Sequence, residues 1–88
     1  MPQTYNIAIK EVDDDMGFDP AAKSINKGDT VVWTNQMSFD HTVTADEGGF
    51  DSKHIKAGKT FTHTFNAAGS FPYHCEIHTF MKGTITVS

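Results

Sequence analysis

Eighty-eight residues, 38% hydrophobic and 20% charged, describe one domain over residues 1–88 with one small core. A chain this short buries only about 60% of the surface its unfolded form exposes, and with Cys75 as its only cysteine no internal disulfide can add stability, which leaves a bound metal as the candidate. Seven basic against eleven acidic residues, a net charge of −4, exclude a phosphate-backbone partner, and no apolar run approaches the roughly 18 residues of a membrane span.

In chain order, Met1-Pro2-Gln3-Thr4 lacks the basic and apolar regions of a leader, and Tyr5 to Ile9 alternates with a period of two, as a strand does. The acidic stretch Glu11-Val12-Asp13-Asp14-Asp15 is expected to be a solvated loop, and Pro20-Ala21-Ala22 allows one helical turn. Lys27-Gly28-Asp29 is a turn signal ahead of the strand Thr30 to Thr34; Glu47-Gly48-Gly49 and Lys56-Ala57-Gly58-Lys59 mark further turns. Thr60 to Phe65 and Thr84 to Val87 alternate again, with Ala68-Gly69-Ser70 turning between them. Threonine, valine and phenylalanine dominate these segments and no window carries an amphipathic helix. The pattern predicts an all-β Greek-key β-sandwich of about seven to eight strands. Phe18, Trp33, Phe61, Phe65 and Phe71 are its predicted core.

Near the C-terminus Cys75, His78 and Met81 place a thiolate, an imidazole and a thioether at i, i+3 and i+6. Soft sulfur with borderline nitrogen selects copper, and one Cys with two His and a long axial Met describes a type 1 electron-transfer site. A second histidine is required. His41 is the candidate, because it opens the alternating segment His41-Thr42-Val43 beyond the strand ending near Asn35. Cys75 then ends one strand and Met81 begins the next, so a tight loop supplies three ligands and His41 the fourth from across the mouth of the sandwich. Such a cage is set by the backbone and holds both oxidation states in similar geometry. Of the other histidines, His74 points away from Cys75 by strand alternation, His54 lies in a polar stretch, and His63 shares parity with Phe61 and Phe65, which predicts a half-buried ring with a backbone partner.

The segment Tyr73-His74-Cys75-Glu76-Ile77-His78-Thr79-Phe80-Met81-Lys82-Gly83 resembles the cupredoxins, the small blue copper proteins of the plastocyanin and azurin kind, and among them looks most like the amicyanins, whose ligand loop is the short Cys-x-x-His-x-x-Met. Ile25 to Asn35 and the interval from Asn35 to His41 resemble the same family. The resemblance implies the cupredoxin fold, one copper ion held by His41, Cys75, His78 and Met81, and outer-sphere shuttling of single electrons rather than enzymatic turnover. It implies redox partners such as a c-type cytochrome or a dehydrogenase or oxidase, a monomer, and a periplasmic or otherwise extracytoplasmic location after loss of a leader. A copper carrier or storage protein using the same Cys, His and Met ligands is the alternative.

Two positions depart from the amicyanin pattern. Ile77 replaces the proline before the second histidine, which predicts an amide hydrogen bond from Ile77 to the Cys75 sulfur. Asp40 replaces the proline before His41 and puts a negative charge beside the site. Asn35 resembles the family asparagine that ties the two ligand loops together near the sulfur. Met37, Phe39, Ile77 and Phe80 are expected to form an apolar docking patch around His78.

Overall fold

Alternation decides which side of each strand faces inward. In Thr30–Asn35 the residues Val31, Trp33 and Asn35 are buried while those between them are half exposed, and in Lys82–Val87 the buried set is Gly83, Ile85 and Val87. A computed structural model describes residues 1–88 with eight strands: β1 (Thr4–Val12), β2 (Asp15–Asp19), β3 (Ala22–Ile25), β4 (Thr30–Asn35), β5 (Thr44–Ala45), β6 (Thr60–Thr64), β7 (Gly69–His74) and β8 (Lys82–Val87). They form two four-stranded sheets, ordered β2-β1-β4-β6 and β3-β8-β7-β5. The predicted all-β sandwich is what forms. Its crossings between sheets make β1 parallel to β4 and β3 parallel to β8, while every other pair is antiparallel.

Trp33 is the centre of the core. Its ring meets Tyr73 edge to face at 5.4 Å and lies within 6.5 Å of Phe50, Phe61 and Phe65. Phe18 and Phe65 are buried as predicted, whereas Phe61 and Phe71 pack half-exposed against the core. Each fully buried aromatic of this kind contributes about 1.5–3 kcal/mol over its exposed state. His63 is half-buried, but its neighbours are the rings of Phe50 at 4.8 Å and Phe65 at 4.6 Å rather than the expected backbone partner. Burial alone lowers its pKa.

Two local expectations give way. The acidic stretch is no open loop: Val12 pairs with Asp15, and Asp13 and Asp14 take left-handed backbone angles (φ 50° and 66°) in a two-residue hairpin turn. Asp tolerates that region and such turns match the twist of the flanking strands. No helical turn forms at Pro20-Ala21-Ala22 either, because Ala22 already pairs with Thr84 as the first residue of β3.

At the end of the sandwich remote from Cys75, Asp29 is buried and joins three segments. Its carboxylate accepts from the Gln3 amide at 2.8 Å and the Asn26 amide at 2.9 Å, and its carbonyl accepts from the Phe65 amide at 2.9 Å. The Gln3 amide first, then that of Asn26, hold the carboxyl below its usual range. A carboxylate with a depressed folded-state pKa stabilises fully above its unfolded value of about 3.9 and loses that contribution as pH falls through the folded value. Stability measured by urea unfolding should therefore decline below about pH 4, and Asp29→Ala should lower the melting temperature at pH 7 and flatten this acid branch. An Asp29→Ala variant with an unaltered acid branch would show that the corner is not a source of acid sensitivity.

Candidate metal centre

Three strand ends converge where β4, β7 and β8 leave the sandwich. The His41 backbone pairs with Ile55, amide to carbonyl at 3.2 Å and carbonyl to amide at 2.7 Å, so the loop after β4 is fixed as firmly as a short strand. Cys75 follows β7 and Met81 precedes β8, and the loop between them is closed twice, by Cys75 N–H to Met81 O at 3.1 Å and Met81 N–H to His78 O at 2.9 Å. Cys75, His41 and Met81 are buried; His78 alone is half-exposed.

Three of the four predicted residues bring their donor atoms together, and Met81 is buried on the same loop. His41 Nδ1 lies 3.2 Å from His78 Nδ1, and the Cys75 sulfur lies 3.8 Å and 4.0 Å from these two nitrogens. Bonds of about 2.1 Å to nitrogen and about 2.3 Å to sulfur, splayed trigonally about a small divalent ion, would separate nitrogens by about 3.6 Å and nitrogen from sulfur by about 3.8 Å. The donor set fits a metal ion. Burial, and after it the neighbouring His78, push His41 below the ordinary imidazole range, which favours the neutral ring that metal ligation needs. Its Nε2 is buried with no hydrogen-bond partner, so packing and the backbone bridge hold the ring rather than the carbonyl or carboxylate usual for such histidines.

Sequence reasoning misplaced the donors to sulfur. The Cys75 sulfur accepts from the Thr42 amide at 3.4 Å and the His78 amide at 3.5 Å, and the Ile77 amide makes no such bond. Asn35 also acts elsewhere. Its Nδ2 donates to the carbonyls of Phe39 (2.7 Å) and Ile55 (2.9 Å) and its Oδ1 accepts from Met37 N–H (2.9 Å), so it shapes the His41 loop from within. The residue that joins the two loops is Thr42, whose hydroxyl accepts from the Glu76 amide at 2.8 Å. The available signal was its place directly after His41. Asp40 does border the site, but its carboxylate is paired with His54 at 3.1 Å and Lys56 at 3.7 Å, with His54 the larger cause of its lowered pKa. His74 turns away, held between Asp46 and Glu76, and the Asp46 hydrogen bond is the main cause of its raised pKa.

Tyr73 and Gly83 are cross-strand partners just below Cys75 and Met81, and the tyrosine ring lies across the glycine. A Cβ at position 83 would stand 2.4 Å from Tyr73 Cζ and Oη. Burial pushes the Tyr73 phenol up to about 12, so it stays neutral. Gly83→Ala should therefore cost about 1–3 kcal/mol in urea unfolding, the usual penalty of overpacking; a variant as stable as the parent would mean that the ring moves aside freely.

Residues 5–88 match the family model described as copper binding proteins, plastocyanin/azurin family. A plastocyanin from Scenedesmus fuscus is 35% identical, with 80% of this chain and 85% of that protein covered. An amicyanin from Paracoccus denitrificans is 30% identical over 82% of this chain and 59% of that protein. Among solved structures, a purple cupredoxin from Nitrosopumilus maritimus superposes with a TM-score of 0.84 at 30% identity, covering 94% of this chain and 98% of that one. The oxidized M98K mutant of amicyanin gives 0.85 at 26% identity, covering 97% and 82%. With sandwich, converging donors and relatives in agreement, the chain belongs to the plastocyanin/azurin family of copper-binding proteins, the cupredoxins.

Proposed function

We propose that this single domain is a type 1 copper protein, with His41, Cys75, His78 and Met81 as ligands, that carries single electrons between redox proteins. The observation that supports it most is the approach of two imidazole nitrogens and one sulfur, all within 4.8 Å of one another. Copper held there supplies one-electron chemistry, alternating between Cu(II) and Cu(I). The chain's part is to keep the donors where both oxidation states can use them. Backbone pairing fixes His41, the doubly closed loop fixes Cys75 and His78, and two amides directed at the sulfur withdraw electron density from it. Met81, buried on the same loop, would supply the thioether ligand. The plastocyanin and amicyanin relatives support a carrier rather than an enzyme.

His78 is the exit. It is the exposed member of the set, and Phe39, Ile77 and Phe80 around it are 59%, 42% and 54% exposed; the Phe80 ring centroid lies 6.5 Å from that of His78. Met37 is half-buried and contributes less. A small apolar surface around the redox edge suits partners that dock weakly and separate quickly. A c-type cytochrome or a dehydrogenase or oxidase fits that description. No helix is long and apolar enough to cross a membrane, and we place the monomeric carrier in the periplasm or another extracytoplasmic compartment, where copper carriers work.

Copper(II) titration separates the readings. One equivalent should produce an intense thiolate-to-copper absorption and a reversible one-electron wave, both lost in Cys75→Ser. A colourless protein that gives up Cu(I) readily would establish the carrier or storage reading instead. The hue also separates a blue site from the purple one named in the Nitrosopumilus maritimus relative. Phe80→Ala should leave spectrum and potential unchanged while slowing electron exchange with a c-type cytochrome several-fold; unchanged exchange would remove the patch from the docking surface.

A further inference from the structure

The contact joining the two ligand loops does not end at Thr42. Its hydroxyl accepts the Glu76 amide and lies 3.0 Å from the hydroxyl of Thr44, which in turn donates to Asp51 Oδ1 at 3.3 Å. Both threonines are buried, so their hydroxyl hydrogens must find protein acceptors. A carboxylate only accepts, which commits the one hydrogen of Thr44 to Asp51. Thr42 must then donate to Thr44, and the whole chain has one direction: Glu76 N–H to Thr42, Thr42 to Thr44, Thr44 to Asp51.

We infer that Asp51, an exposed residue outside both ligand loops, is a positioning residue for the copper site, acting through Thr44 and Thr42 on the hydrogen bonding around the Cys75 sulfur. A hydroxyl that donates is a better acceptor, and a negative charge at the far end strengthens every link. Thr42 is the receiving point because it touches the second loop twice, through its hydroxyl to Glu76 N–H and through its own amide to the sulfur. Loosening the hydroxyl contact lets that amide draw away from sulfur, which leaves the sulfur richer in electrons and favours Cu(II). Asp51 is well placed for this role, since its backbone is bridged to that of Thr44 and its carboxylate has an anchor besides the Thr44 hydroxyl. Its Oδ1 also accepts from Lys53 N–H at 2.9 Å, and the backbone around it is paired through Ala45 N–H to Phe50 O and Ser52 N–H to Val43 O, both at 3.0 Å. The Lys53 amide is also the main cause of its lowered pKa.

The inference about the potential rests on the electron-carrier reading, whereas the chain itself can be tested without metal. In the copper-free full chain, Asp51→Ala and Thr44→Val should each raise the hydrogen-exchange rate of the Glu76 amide about two- to threefold, since they weaken the bond to Thr42 without removing it, and the double variant should exchange no faster than either single. Asp51→Asn, which keeps an acceptor oxygen but loses the charge, should fall between the parent and Asp51→Ala. In the copper-loaded protein, Thr44→Val should lower the reduction potential although the Asp51 charge is retained. A Glu76 amide as protected in Asp51→Ala as in the parent, effects that multiply in the double variant, or an unchanged potential in Thr44→Val would each overturn the inference. A parent that binds no coloured Cu(II) would instead defeat the electron-carrier reading and leave the exchange result standing.

Discussion

Holding two imidazole nitrogens 3.2 Å apart beside a buried sulfur is the constraint on which this molecule is organised. Three lone-pair donors pointing at one another repel, and burial removes the water that would separate them. Such an arrangement persists only if its surroundings over-determine it, and the structure does so with main-chain bonds that the side chains of Asn35 and Thr42 supplement. His41 is bridged to Ile55, and the Cys75 to Met81 loop is closed by two amide bonds within six residues. The consequence for redox chemistry is direct. A scaffold that keeps the donors in place would change little when the charge between them changes, so little reorganisation would oppose the electron transfer proposed for it.

The sheets serve that end. A seven-residue stretch can present a sulfur, an imidazole and a thioether to one point only if the strands on either side stay in register, and here the register is read at Tyr73 and Gly83. The ring that covers the glycine also packs on Trp33 and Phe18, so the foot of the ligand loop is continuous with the centre of the core. In a chain of this size the core and the metal cage cannot be separate structures, because too little apolar surface exists to stabilise one without the other.

Much of this was legible in the sequence. The period-two segments predicted the strands, and the spacing of Cys75, His78 and Met81 carried two of the three converging residues, with Met81 buried on the same loop, without reference to any partner strand. His41 was legible less directly, since nothing local distinguishes it from His54 or His63; its place beyond a strand end decided the matter, and the structure puts it with the others. Turns and hydrogen bonds were harder. Asp13 and Asp14 are solvated as the charge run suggests, but the sequence does not show that Val12 and Asp15 face each other across them. Ile77 looked like the donor to sulfur because it lacks a proline's restriction, but where an amide points depends on the turn of the loop, and this loop aims His78 N–H at sulfur instead. Thr42 went unnoticed because an ordinary strand threonine and one that joins two loops are the same letter.

Charge near the site is similarly a matter of pairing more than of composition. Read as sequence, Asp40 adds a full negative charge next to His41 and should favour Cu(II). In the fold its carboxylate faces His54 and Lys56, so its field at the donors is partly cancelled at the source, and the cancellation is greatest when His54 is protonated. The sulfur feels the opposite influence, from two amides within hydrogen-bond range and no carboxylate in contact. Because those amides touch the sulfur while the Asp40 charge is both more distant and paired, the nearer effect should dominate, and the local backbone, not the acidic surface of the molecule, sets which oxidation state the site prefers.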